Sequence, residues 1–115
     1  MGIIFDNHEF SKPRRIADWE SPKAAGLYVI LIPDLSISPI PLKAIYFGQT
    51  SNFAKRLFLK SREIYNWVKE VESEDSVFIA TYLMLGSTKE ERKTMEAELI
   101  AKYQPVCNKK YKSEK

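Results

Sequence analysis

The chain has 115 residues, 44% of them hydrophobic and 29% charged, with 18 basic against 15 acidic side chains for a formal charge of +3. That length holds one core and leaves no room for a separate specificity domain; that composition excludes a disordered, collagen-like or coiled-coil chain. The small basic excess permits a nucleic-acid partner without requiring one.

Cys107 and His8 are the sole cysteine and histidine, so one chain can build neither a disulfide nor a Cys/His zinc cage, and any metal needs oxygen ligands. The two residues lie far apart in sequence, which argues against a nucleophilic dyad. The longest apolar run, residues 27 to 32, is too short to span a membrane, and the N-terminus lacks the basic start of a signal peptide. Gly2 invites myristoylation, but Asp6 stands where that motif needs Ser or Thr. A cytoplasmic protein without membrane contact is expected.

In chain order, residues 1 to 25 mix charges, Pro13 and Pro22 with isolated Phe5, Phe10, Ile16 and Trp19, and are expected as an arm carrying one short helix near residues 13 to 19. Gly26 then opens Leu27-Tyr28-Val29-Ile30-Leu31-Ile32, a strand apolar on both faces and hence central in its sheet. Pro39 and Pro41 make residues 34 to 42 an extended loop or loose hairpin, before a second strand, Lys43-Ala44-Ile45-Tyr46-Phe47-Gly48. Thr50, Ser51 or Asn52 can cap a helix whose apolar stripe is Phe53, Leu57, Ile64 and Val68, bordered by Arg56, Lys60 and Trp67. Residues 76 to 85 read as a third strand stopped by Gly86. Ser87 or Thr88 can cap a last helix with Glu90 and Glu91 in its first turn, running to about Tyr103, before Pro105. Residues 109 to 115 form a basic tail.

On that last helix, Met95, Leu99, Ile100 and Tyr103 define the apolar arc, and Glu96 falls inside it, between Tyr103 and Ile100 on the helical wheel. A carboxylate facing the core requires compensation. Two sources are open: an along-helix pair with Arg92, four residues earlier, or a hard divalent cation, which takes carboxylate and water oxygens. Tyr28 and Tyr46 carry a similar choice between ordinary sheet residues with wet hydroxyls and members of a site.

Gly26-Leu27-Tyr28, then Tyr46-Phe47-Gly48, then Arg56, then Glu96 heading Glu-Ala-Glu-Leu-Ile, then Pro105-Val106-Cys107-Asn108, resembles the GIY-YIG nuclease family in order and residue type across residues 26 to 108. The resemblance implies an α+β fold with a small three-stranded antiparallel sheet flanked by helices, and metal-dependent hydrolysis of DNA phosphodiesters. By position it implies that Glu96 holds a single divalent ion, Mg²⁺ or Mn²⁺, that Arg56 binds the phosphate, that Tyr28 and Tyr46 face the attacking water, and that Asn108 braces the site. The chemistry is coherent: a guanidinium offers forked donors to phosphoryl oxygens, and a phenol acts as base where neighbouring cations favour the phenolate. Lys60, a turn beyond Arg56, could supply part of that field.

Two departures stand out. The linker from Tyr28 to Tyr46 is longer than the family's usual hairpin, and Gln49 replaces a lysine found in several relatives. Lacking an appended domain, the chain would draw DNA affinity from Lys55, Lys60, Arg62, Lys109, Lys110 and Lys112, and specificity from DNA structure, a partner protein or a homodimer. DNA ranks ahead of RNA as substrate. The alternative is a non-catalytic nucleic-acid or protein interaction module on the same scaffold.

Overall fold

A computed structural model describes residues 2–55 and 76–108. Strands β1 (Ile3–Phe5) and β2 (His8–Phe10) form a hairpin. Strands β3 (Arg14–Arg15), β4 (Gly26–Pro33), β5 (Leu42–Thr50) and β6 (Phe78–Leu83) form an antiparallel sheet in the order β3-β6-β4-β5. Short 3-10 turns cover Ile16–Asp18 and Phe53–Lys55, and helix α1 covers Lys89–Tyr103. The architecture is α+β and antiparallel, with four strands in the main sheet where three were expected.

The continuous apolar run of β4 puts it between β5 and β6, with Leu27 to Leu31 all buried. Its alternate residues feed two cores. Tyr28 and Ile30 pack with Ile16, Ile45, Phe53, Val77, Ile79 and Cys107 on one face. Leu27, Val29 and Leu31 pack with Phe5, Phe10, Phe47 and Leu99 on the other, under the β1-β2 hairpin and α1. Ile45 is the unopposed residue where the β4-β5 register shifts between Ile30 and Leu31. This bulge turns Ile45 and Tyr46 to the same face, which strict alternation forbids.

Residues 2 to 25 are folded onto the sheet instead of trailing from it as an arm. Asp6 and Asn7, with φ of 49° and 67°, make a two-residue hairpin turn of the kind that demands positive φ at both positions. It places Ile3, Phe5 and Phe10 inward. The turn docks on the end of α1, where Lys102 Nζ lies 2.7 Å from Asp6 Oδ1 and Asp6 N donates to Tyr103 Oη at 2.7 Å. The short helix expected near residues 13 to 19 is the single 3-10 turn Ile16–Asp18, and Arg14–Arg15 supply the fourth strand.

Helix α1 begins on a capping box. Thr88 Oγ1 accepts from Glu91 N at 3.1 Å, while Thr88 N donates to Glu91 Oε1 at 2.8 Å. It ends at Gln104, whose left-handed φ of 45° turns the chain toward Pro105. The helix expected after Asn52 and the basic tail lie outside the described residues beyond Lys55 and Asn108.

Candidate active site

Tyr28 and Tyr46 share one face of the β4-β5 hairpin, with ring centroids 6.0 Å apart and planes inclined at 34°. The register explains how. Tyr28 stands opposite Gly48, and Tyr46 stands opposite Ile30, so the two phenols are diagonal neighbours. The long loop between the strands does not disturb this pairing, because it is closed locally: Asp34 N donates to Pro41 O at 2.9 Å, and Ser36 donates to Asp34 Oδ1 through N and Oγ. The two Ser36 bonds, the hydroxyl first, hold the Asp34 carboxyl below its ordinary range.

Gly48 is not merely a strand end. A Cβ there would press into the Tyr28 ring, 2.7 Å from Cε1, so the missing side chain is what lets the ring lie across β5. Gly26 is constrained similarly, since its Cβ would run into the Tyr82 carbonyl on β6. Tyr28 is fully buried and Tyr46 half-buried, which makes Tyr46 the phenol nearer solvent.

Asn108 is the third expected residue at this place. It is buried at the free edge of β5, where Oδ1 accepts from Phe47 N at 2.8 Å and Nδ2 donates to Phe47 O at 3.0 Å. The carboxamide thus replaces a neighbouring strand at the one residue between Tyr46 and Gly48, satisfying two edge groups that burial would otherwise leave costly.

Glu96 arrives from α1, which packs on the opposite face of the sheet from the phenols. It is half-buried, as its position on the apolar arc suggests, while Glu98 is exposed. Leu99 is buried beside Phe47, and the Tyr103 ring lies 5.8 Å from that of Phe47. The helix and the phenols thus lie on the two sides of one sheet, and Asn108 sits at the free edge of β5.

Arg92, one of the two compensators the sequence leaves open for Glu96, makes bonds of its own elsewhere. It is buried and reaches across to β5 and back to the helix cap, donating through Nε to Gln49 Oε1 at 3.0 Å and through Nη1 to Ser87 O and Oγ at 2.8 and 3.0 Å. These bonds fasten the start of α1 to the residue that follows Gly48, one helical turn from Glu96. No periodicity announces this contact, since Gln49 and Arg92 are 43 residues apart.

His8 stacks at a tilt on Tyr82, at 5.3 Å, whereas Cys107 is buried in the core on the opposite face. The two do not form a dyad. Of the remaining expected residues, Arg56, Lys60, Arg62, Lys109, Lys110 and Lys112 lie outside the described residues, as does the side chain of Lys55.

Among the described residues there is no cluster of three or more His, Cys, Asp or Glu side chains able to cage a metal. A site with Glu96 as its one protein carboxylate remains compatible with a hard divalent ion, which commonly keeps water and substrate oxygens as its other ligands. Among the described residues, no helix is long and apolar enough to cross a membrane. Comparisons of the chain with protein-family models, with curated proteins and with solved structures returned no match.

Proposed function

We propose that this chain is a GIY-YIG-type endonuclease that hydrolyses DNA phosphodiesters with one divalent ion. The observation that carries the reading is the Tyr28-Tyr46 pair over Gly48, clamped from the strand edge by Asn108. Four of the residues singled out by the family resemblance fall within two positions of one another in the β4-β5 register or bond directly to it. Ordinary sheet tyrosines need neither the glycine nor the clamp.

In this reading the half-buried Tyr46 orients the attacking water, and Tyr28, sealed below it, fixes the Tyr46 ring and the polarity of its surroundings. Asn108 holds the edge of β5 at Phe47, the residue next to Tyr46. Glu96 would hold Mg²⁺ or Mn²⁺, which when bound neutralises charge on the leaving oxygen. Arg56 would bind the phosphoryl oxygens through its forked donors. Gln49, in the position of the family's lysine, cannot supply a cation itself, and its amide oxygen instead takes a bond from Arg92.

The test is incubation of purified protein with linear and branched DNA in Mg²⁺, in Mn²⁺ and in excess chelator, alongside Glu96→Ala. Cleavage that requires both the ion and Glu96 is the expected result. The same background in wild type and variant would instead support a binding module on this scaffold.

A further inference from the structure

We propose that a cavity beside the 3-10 turn Ile16–Asp18 is a pocket for one unpaired DNA base, an inference that rests on the nuclease reading above. The cavity is a half-open cleft of about 540 Å³, within the range of small-molecule sites. Thr81 contributes to it from β6 and is the cross-strand partner of Tyr28, whose other partner is Gly48. The cavity therefore belongs to the phenols' side of the sheet, about two strand spacings, or on the order of 10 Å, from the β5 site.

Apart from Thr81 and Leu83, its described lining comes from sequence ahead of the region that resembles the nuclease family. Six of its eight described lining residues, among them Ser11, Arg14, Asp18, Trp19 and Glu20, lie between positions 11 and 22. Trp19 provides the aromatic wall and is itself propped edge-on by Phe53, with centroids 6.0 Å apart. The backbone beneath is fixed by Ser11, whose N donates to Thr81 O at 2.7 Å and whose Oγ accepts from Thr81 N at 2.9 Å.

Charge decides between a phosphate and a base. Arg14 and Arg15 are matched by Asp18 and Glu20, and Asp18 is already paired with Arg15 at 3.0 Å. A phosphate placed here would meet two carboxylates with no excess of positive charge. A neutral planar ring would instead stack on an indole, with a carboxylate rim to accept from an exocyclic amino group, as acidic side chains accept from cytosine. Bases inside a duplex cannot reach such a pocket, so it would select flipped, bulged or single-stranded positions.

The experiment is fluorescence anisotropy, in chelator so that nothing is cut, with a short labelled duplex that is fully paired and the same duplex carrying one bulged cytosine. Wild type should bind the bulged DNA tighter by on the order of tenfold, Trp19→Phe should keep that preference, and Trp19→Ala should erase it. Glu20→Gln should reduce it with the fold intact, since Glu20 is exposed. Equal binding of the two DNAs by wild type overturns the proposal. So does a preference that survives Trp19→Ala; where that variant fails to fold, a preference unchanged by Glu20→Gln overturns it. A bulge preference without any ion-dependent cleavage would refute the nuclease reading alone, and Glu96-dependent cleavage without the preference would refute the pocket alone.

Discussion

The ring of Tyr28 occupies the space that a side chain at Gly48 would fill, across the ladder from it. The glycine of the second motif is thereby tied to the tyrosine of the first by packing, not by backbone conformation. Gly48→Ala should force the ring or the strand to move, costing about 1–3 kcal/mol as overpacking does. Chemical denaturation reads the stability loss, and the same variant should lose cleavage.

Asn108 makes the complementary prediction. Asn108→Ala leaves the Phe47 N–H and C=O without their partner at a buried edge, for a loss of about 2 kcal/mol or more. Asn108→Asp keeps the acceptor but sets a carboxylate oxygen against the Phe47 carbonyl, so it should not restore stability. Full recovery in the aspartate variant would show that packing, not the two-pronged bond, is what matters.

The Arg92-Gln49 bond should appear as a coupling energy. In a double-mutant cycle of Arg92→Met and Gln49→Leu, the loss in the double variant should fall short of the summed single losses by about 1.5–3 kcal/mol, the scale of a hydrogen bond to a charged group. Strict additivity would mean that the bond does not fasten α1 to β5.

The Asp6-Lys102 contact makes stability depend on pH at both extremes. The hydrogen bond from Lys102 lowers the Asp6 carboxyl, and the same bond raises the Lys102 ammonium. A lowered acid contributes above its unfolded value, near pH 4, and that contribution is lost as pH falls through the folded value. A raised base contributes below its unfolded value, near pH 10, and is lost as pH rises through its folded value. The stability difference between wild type and Asp6→Asn should therefore be level between those limits and shrink toward both. Lys102 is exposed and Asp6 is in reach of solvent, so the difference is small; a gap that widens below pH 4 would contradict the assignment.

Much of the fold was legible because β4 and α1 carry strong local signals. An apolar run on both faces means a central strand, and Thr88 followed by Glu91 is a complete helix start. The N-terminal hairpin was not legible: its strands have three residues each, and Ile4, 64% exposed, hides the inward alternation of Ile3 and Phe5. The Asp6-Asn7 pair was the one local cue to it. Strand β3 joins the sheet through backbone alone, with both arginines exposed, and so leaves no side-chain pattern. On α1 the wheel sets Glu96 on the apolar arc, where it is half-buried, but no periodicity foresees the bond from Arg92 to Gln49. The register that sets Tyr28 over Gly48 depends on a bulge at Ile45, which no spacing in the sequence reveals.

The central claim is most directly tested by single-turnover cleavage of branched DNA at saturating Mg²⁺, comparing wild type with Glu96→Gln, which keeps the side chain's size and removes its charge. The account predicts measurable cutting by wild type and a fall of at least about a thousandfold in the variant, since charge stabilisation of this kind contributes about 4 kcal/mol. Equal rates in the two proteins, or no cutting by wild type on any DNA supplied with the ion, would contradict it.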